Sequence, residues 1–163
     1  MIKQLRVDDR LIHGQVALMW SKALGTKGIV VANDKAATSG MVSATLKMAC
    51  PSSQRLLIKS VDDAIRIAND PRGKDMPIFM LVDCVADALA VVRACPGVIG
   101  EVNVANVGRF VAGEKTSVLT SVELTAAEVA AARELCDCGV PVFHQVTPND
   151  ARSDVAEALY QLA

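Results

Sequence analysis

Residues 78–82 read Ile-Phe-Met-Leu-Val. Five apolar residues in a row, with no polar alternation, suit a β-strand covered on both faces. Strands of that kind belong to parallel sheets, whose crossover connections lay helices on each side. Working outward, short β-rich runs alternate with amphipathic stretches. Ile2 to Val7 is the first strand. Gln15 to Leu24 is a helix, because Ile12, Val16, Trp20 and Ala23 recur on one face. Gly28-Ile-Val-Val-Ala is a second buried strand. A helix from Lys35 to Ala49 follows, with Asp34 as N-cap and Pro51 past its end. Arg55 to Lys59 is the third strand, and Ser60 with Asp63 makes a capping-box start for the next helix.

Beyond residue 82 the alternation continues. Ala86 to Ala94 is helical, Glu101 to Ala105 is a strand, and Asn106-Val-Gly-Arg makes a turn. Between Phe110 and Thr125 the rhythm changes. Ser117-Val-Leu-Thr-Ser-Val-Glu-Leu is rich in β-formers and reads as a short hairpin or antiparallel edge strand near 110–124. An Ala-rich helix starts at Thr125 and runs to Cys138, with Gly139 as its C′ residue. Val140 to Val146 is the last strand and Asp150 to Leu162 the last helix. The fold class is therefore α/β: one domain over 1–163, an open, mostly parallel sheet flanked by helices.

Composition narrows the function classes. Net charge is -1, and the lysines and arginines are scattered, which argues against nucleic-acid binding. No apolar run is long enough to span a bilayer and none resembles a secretory leader, so a cytoplasmic protein is expected. Five cysteines at irregular spacing read as reduced thiols. Cys136-x-Cys138 with His144 nearby lacks metal-site spacing, so neither a metal nor any other cofactor is expected. His144, in Val-Phe-His-Gln-Val, reads as a partly exposed structural histidine.

In open α/β sheets, ligands bind beyond the carboxyl ends of the strands. One of those loops holds a dense chemical cluster: Asp8-Asp9-Arg10-Leu11-Ile12-His13-Gly14-Gln15. A helix start after it would present unpaired N–H groups to an anion. Gly14 would let the anion approach the backbone. Arg10 can aim a planar fork at phosphate oxygens, and a neutral imidazole at His13 is a nucleophile. These residues describe a candidate phosphoryl-accepting site. Read singly, they fit better a surface histidine beside a local ion pair.

The longer motif Arg6-Val-Asp-Asp-Arg-Leu-Ile-His-Gly-Gln-Val-Ala-x-x-Trp20 resembles the active-site signature of the IIB component of the mannose/fructose/sorbose family of the bacterial phosphoenolpyruvate:sugar phosphotransferase system (PTS). Ile29-Val-Val-Ala-Asn-Asp, Asn106-Val-Gly108 with Lys115-Thr116, and Ser121-Val-Glu-Leu resemble later parts of the same family. The resemblance implies an open α/β sheet and a protein-phosphohistidine–sugar phosphotransferase. It makes His13 the phosphorylated residue, Arg10 its phosphate-contacting arginine, and Asp8, Asp9, Leu11, Ile12, Gly14 and Gln15 the rest of the loop. It implies phosphoryl transfer from a phospho-IIA protein or domain to a sugar bound by membrane IIC and IID components, with peripheral association with that permease. A homo-oligomer is left open. The alternative within the fold is a regulatory IIB-like module that senses phosphorylation without passing it to sugar. Two departures stand out. Arg109 occupies a position often held by a second glycine, and Asp83-Cys84-Val85 replaces a frequent Thr/Asn-Pro pair. Asn106, Gly108 and Arg109 are expected to contribute from the same sheet edge as His13.

Overall fold

In a computed structural model, residues 1–162 are described. The chain runs β1 (Ile2–Asp8), α1 (Gly14–Leu24), β2 (Gly28–Ala32), α2 (Asp34–Thr38), α3 (Gly40–Ala49), β3 (Arg55–Lys59), α4 (Val61–Asn69), a 3-10 turn (Pro71–Gly73), β4 (Ile78–Val82), α5 (Val85–Ala94) and β5 (Val102–Asn106). A hairpin of β6 (Thr116–Leu119) and β7 (Val122–Leu124) then leads to α6 (Ala126–Cys136), β8 (Val142–His144), β9 (Ser153–Asp154) and α7 (Val155–Tyr160). The main sheet has the order β3-β2-β4-β1-β5-β8-β9 and is parallel except for β9, which is antiparallel to β8. The expected open α/β sheet is therefore present, and the change of rhythm before Thr125 is an antiparallel hairpin.

Strand alternation divides the core in two. Val30, Ala32, Ile78, Met80 and Val82 face one side, where buried residues of α4, α5, α6 and α7 cover them. Ile29, Val31, Phe79 and Leu81 face the other, under α1, α2 and α3. That is why residues 78–82 carry no polar position: β4 lies inside the sheet with a helix layer on each face.

The α1-side face changes character at β1. Leu5 and Val7 join the first core, but Gln4, Arg6 and Asp8 point the other way and are buried. Asn103 and Asn106 continue this polar row on β5. Asn103 Nδ2 donates to the Gln4 side chain at 3.3 Å and to the Gln145 carbonyl at 2.8 Å, while Gln145 N donates back to Asn103 Oδ1 at 3.0 Å. Gln4 Nε2 donates to Glu101 at 2.7 Å. A buried amide is tolerated only when paired, and this row is paired along its length.

Four sequence expectations change. The helix expected over 35–49 is two helices. Ser39 is extended, with its hydroxyl capping Val42 N at 3.3 Å, and the weak helix former Gly40 follows it. The first of the two is capped by Asn33, whose side chain accepts from Ala36 N at 2.8 Å; Asp34 instead accepts from Val61 N at 2.9 Å. The last strand stops at His144 rather than Val146, and the last helix starts at Val155 rather than Asp150. The segment between leaves the sheet to cover the polar row. Gln145 Nε2 donates to the carbonyls of Pro148 and Asp150, and Arg152 donates to Gln145 and lies 3.9 Å above the Phe143 ring.

Phe79 is wholly buried in the α1-side core. Phe79→Ala should lower unfolding free energy by about 3–5 kcal/mol, read from urea denaturation.

Candidate active site

The first loop is a tight turn hung from the end of β1. Leu11 N donates to the Asp8 carbonyl at 2.9 Å, and Arg10 N donates to Asp8 Oδ1 at 3.0 Å. Leu11 takes φ 58, the left-handed region that branched side chains avoid. Its side chain and that of Ile12 are buried in the α1-side core, so apolar burial holds the strained turn in place. Leu11 and Ile12 therefore anchor the loop rather than line it.

His13 is the N-cap residue of α1, with φ -113 and ψ 108. Its carbonyl accepts from Ala17 N at 2.8 Å, while its side chain makes no cap hydrogen bond and is exposed. No acidic residue occupies the first turn of α1. The imidazole thus stands free at a helix start whose first N–H groups and partial positive charge favour an anion. Gln15 is exposed next to it. Gly14 also has a packing reason. A Cβ there would stand 3.3 Å from the Ala49 carbonyl oxygen, so glycine admits the end of α3.

Asp8 is the centre of the loop's electrostatics. Its side chain and that of Arg6 are each 1% exposed, and Arg10 is 26% exposed. Arg6 Nε and Nη2 donate to Asp8 Oδ2 at 3.3 and 3.2 Å. Arg10 Nε donates to Oδ1 at 3.3 Å and Nη2 to Oδ2 at 3.4 Å. Asn106 Nδ2 adds a further bond at 3.3 Å. The Arg10 fork, expected to face phosphate, is thus spent on Asp8, and Nη1 is the guanidinium nitrogen left out of these bonds. Burial pulls the Arg6 guanidinium down from its ordinary value, and Asp8 opposes that. Arg6 Nη1 and Trp20 Nε1 both donate to the Val146 carbonyl, at 3.0 and 2.9 Å.

The β5 loop closes the other side. Asp9 Oδ2 accepts from Arg109 N at 3.2 Å. Gly108 has φ 101, and a Cβ there would collide with the Glu123 carbonyl on β7. Lys115 Nζ donates to the Gly108 carbonyl at 2.6 Å. Asn106 and Arg109 therefore meet the first loop, while Gly108 between them packs against Glu123 and Lys115. The Arg109 guanidinium is exposed and stacks near Phe110, 5.7 Å from its ring centroid. Asp83 and Cys84 in the β4 loop and Asp87 in the first turn of α5 form an acidic group, their ligand-type atoms within 4.8 Å of one another. Burial pushes the Cys84 thiol up to about 12, so it is protonated at neutral pH.

His144 is buried rather than partly exposed. Its Nδ1 lies 2.7 Å from the Val104 carbonyl oxygen, so this nitrogen carries the proton and donates. Cys138 Sγ turns to the Glu134 carbonyl at 3.3 Å, and burial pushes Cys136 up to about 11. Sequence reasoning gave Arg6 no role. Its place opposite Asp8 shows only once the strand alternation puts positions 6 and 8 on one buried face.

With the geometry in view, relatives place the chain. Residues 2–162 match the family described as PTS system sorbose subfamily IIB component. The chain belongs to that family. It is 46% identical over 161 residues to a probable phosphotransferase enzyme IIB component of Streptococcus pyogenes, covering 96% of this chain and 98% of the relative. The crystal structure of the IIBSor domain of the sorbose permease from Klebsiella pneumoniae superposes with a TM-score of 0.91 at 27% identity, covering 100% of this chain and 98% of that one. A mannose-specific EIIAB component of Escherichia coli is 31% identical over 158 residues, 96% of this chain and 48% of the relative. This IIB component is thus part of a sugar phosphotransferase system, in which IIB proteins are phosphotransferases that work with IIA and with membrane IIC and IID partners. No helix among the described residues is long and apolar enough to cross a membrane.

Asp9 supplies a pH test of the loop. Its Oδ1 is buried without a hydrogen-bond partner among the described residues, and burial raises its carboxyl above the ordinary value. A raised folded-state value favours the protonated fold, so this contribution is present at low pH and lost as pH rises through it. Asp9→Asn should therefore melt at a higher temperature than wild type at pH 7. The gap should close as pH falls through the ordinary carboxylate range in calorimetry.

Proposed function

We propose that His13 is the phosphoryl carrier of this IIB component, accepting the group from the phosphohistidine of a IIA partner and passing it to sugar. The observation that carries this is the free, exposed imidazole at the start of α1, beyond the carboxyl end of β1. The Escherichia coli relative supports a IIA donor, since its name joins A and B parts in one chain.

The chemistry follows from the parts. The lone pair of an unprotonated His13 nitrogen attacks phosphorus in line with the donor's P–N bond. The new P–N bond forms as the old one breaks, and the electron pair returns to the donor imidazole. In the second step a sugar hydroxyl oxygen attacks phosphorus, the bond to His13 breaks, and the hydroxyl proton ends on the freed imidazole. Most of the catalysis in such a transfer is positioning and charge stabilisation. The unpaired N–H groups of the first turn of α1 and Arg10 Nη1 supply the counter-charge. The protein meets the membrane through its IIC and IID partners and sees the sugar only at its reacting hydroxyl.

Histidine-preserving phosphopeptide mass spectrometry tests this. After incubation with phosphoenolpyruvate and the upstream carriers, an acid-labile phosphate should lie on His13 and vanish in His13→Ala. A fully labelled His13→Ala protein would refute the assignment. Arg10→Lys should slow labelling by about 10-fold to 100-fold, because an ammonium cannot hold Asp8 with one edge and phosphate with another. Formation of sugar phosphate with the IIC and IID components present separates a transporting IIB from a purely sensing one.

A further inference from the structure

Arg6 is the largest side chain fully enclosed in this protein, and it sits under the loop that carries His13. A structural arginine in that place needs only a partner for its charge. This one does more with its geometry. Nε and Nη2 both hold Asp8 Oδ2, at 3.3 and 3.2 Å, on the same carboxylate whose two oxygens receive the Arg10 fork. Nη1 reaches across to the Val146 carbonyl at 3.0 Å, where the Trp20 indole also donates. Arg6 is therefore fixed at three nitrogens before Arg10 is considered. Arg6 and His13 also line one small void beneath the first turn of α1, with Leu11, Val16, Ala17, Phe79 and Leu81.

We infer that Arg6 is a positioning residue for the phosphoryl step: it locks the Asp8 carboxylate in one orientation, and Asp8 in turn sets the guanidinium of Arg10 in the His13 loop. Two physical points favour this over a purely structural pair. First, a carboxylate with one arginine can rotate to follow it. A carboxylate held from below by a rigid, buried fork presents its remaining lone pairs in fixed directions. Second, Arg6 already neutralises the charge of Asp8. The partly exposed Arg10 is then held for orientation and keeps its own charge available to a developing phosphoryl anion. The inference rests on the phosphohistidine reading for its consequence in the reaction, but the Arg6–Asp8–Arg10 coupling stands on geometry alone.

A double-mutant cycle tests it. The probe is phosphoramidate: its P–N bond breaks, its nitrogen leaves as ammonia, and its phosphoryl group bonds to the imidazole. Initial labelling rates are measured for wild type, Arg6→Lys, Arg10→Lys and the double variant. The side-chain Nε–H resonance of Arg10 is followed by 15N NMR. Arg6→Lys keeps the charge and removes the fork. It should slow labelling by about 10-fold to 100-fold. The double variant should be no slower than Arg10→Lys alone, and the Arg10 resonance should broaden in Arg6→Lys. A wild-type rate in folded Arg6→Lys, or single losses that multiply in the double variant, would overturn the inference. Where Arg6→Lys does not fold, Asp8→Asn cuts the same relay at its middle. It should show the same non-additivity with Arg10→Lys, and additivity there is equally fatal. If wild type takes no label at His13, the phosphohistidine reading fails, and the Arg10 resonance alone decides whether Arg6 sets Arg10. An unchanged resonance in the variant refutes that.

Discussion

The Asp8 carboxylate, buried between two guanidinium groups, is the constraint around which the site is organised. Removing one partner of a buried, hydrogen-bonded charge costs about 3–5 kcal/mol, because the other charge is left without compensation. The fold meets this constraint from four elements. β1 supplies Arg6 and Asp8, the loop supplies Arg10, β5 supplies Asn106, and the segment after β8 supplies the Val146 carbonyl. Trp20 on α1 donates to that same carbonyl. One charge cluster thus ties the central first strand, the first helix, β5 and the last connection together. The loop bearing His13 inherits its position from all of them.

This explains a division in the sheet that hydrophobicity alone does not require. On the α1 side, β2 and β4 are apolar, yet β1 and β5 carry Gln4, Arg6, Asp8, Asn103 and Asn106. A purely apolar face would pack as well and need fewer partners. The polar row leads from Glu101 and Gln4 at one end of β1 to Asp8 and Asn106 at the other, beside the loop. Residues 145–152 are consumed in satisfying it, which is why β8 ends early and α7 starts late. A buried polar row of this kind also fixes strand register, since slipping by one residue would leave paired amides and charges without partners.

The contrast between the two halves of that face shows what a sequence displays and what it hides. Ile78 to Val82 and Gly28 to Ala32 announce buried strands because every position agrees. The capping residues Ser60 and Thr125 announce helix starts because local chemistry suffices. The His13 loop stood out as a dense charge cluster at a strand end, but its residues taken singly favoured a surface histidine beside an ion pair, and only the extended motif through Trp20 pointed beyond that. Arg6 was not legible as a buried group, because an arginine inside a strand reads as a solvated position until its neighbours across the sheet are known. For the same reason His144 read as partly exposed: its proton goes to the Val104 carbonyl, forty residues away in the chain. The break at Ser39 was hidden by apolar periodicity on both sides. The packing contact of Gly14 was hidden because it is made to Ala49, on another helix.

Strain and exposure complete the picture. Leu11 adopts a left-handed backbone at a cost of about 1–3 kcal/mol, and Asp9 buries an oxygen without a partner among the described residues. Neither helps the fold. Both lie in the turn that delivers the chain from Asp8 to His13, and both are held by something already paid for elsewhere: Leu11 by the apolar core, Asp9 by its bond to Arg109. The result is an exposed imidazole on a rigid base. In the proposed transfer His13 is reached by one protein and then by a sugar in another, and an exposed imidazole on a rigid base suits both encounters. Rigidity in the supporting arginines and access at the histidine are thus two parts of the same requirement.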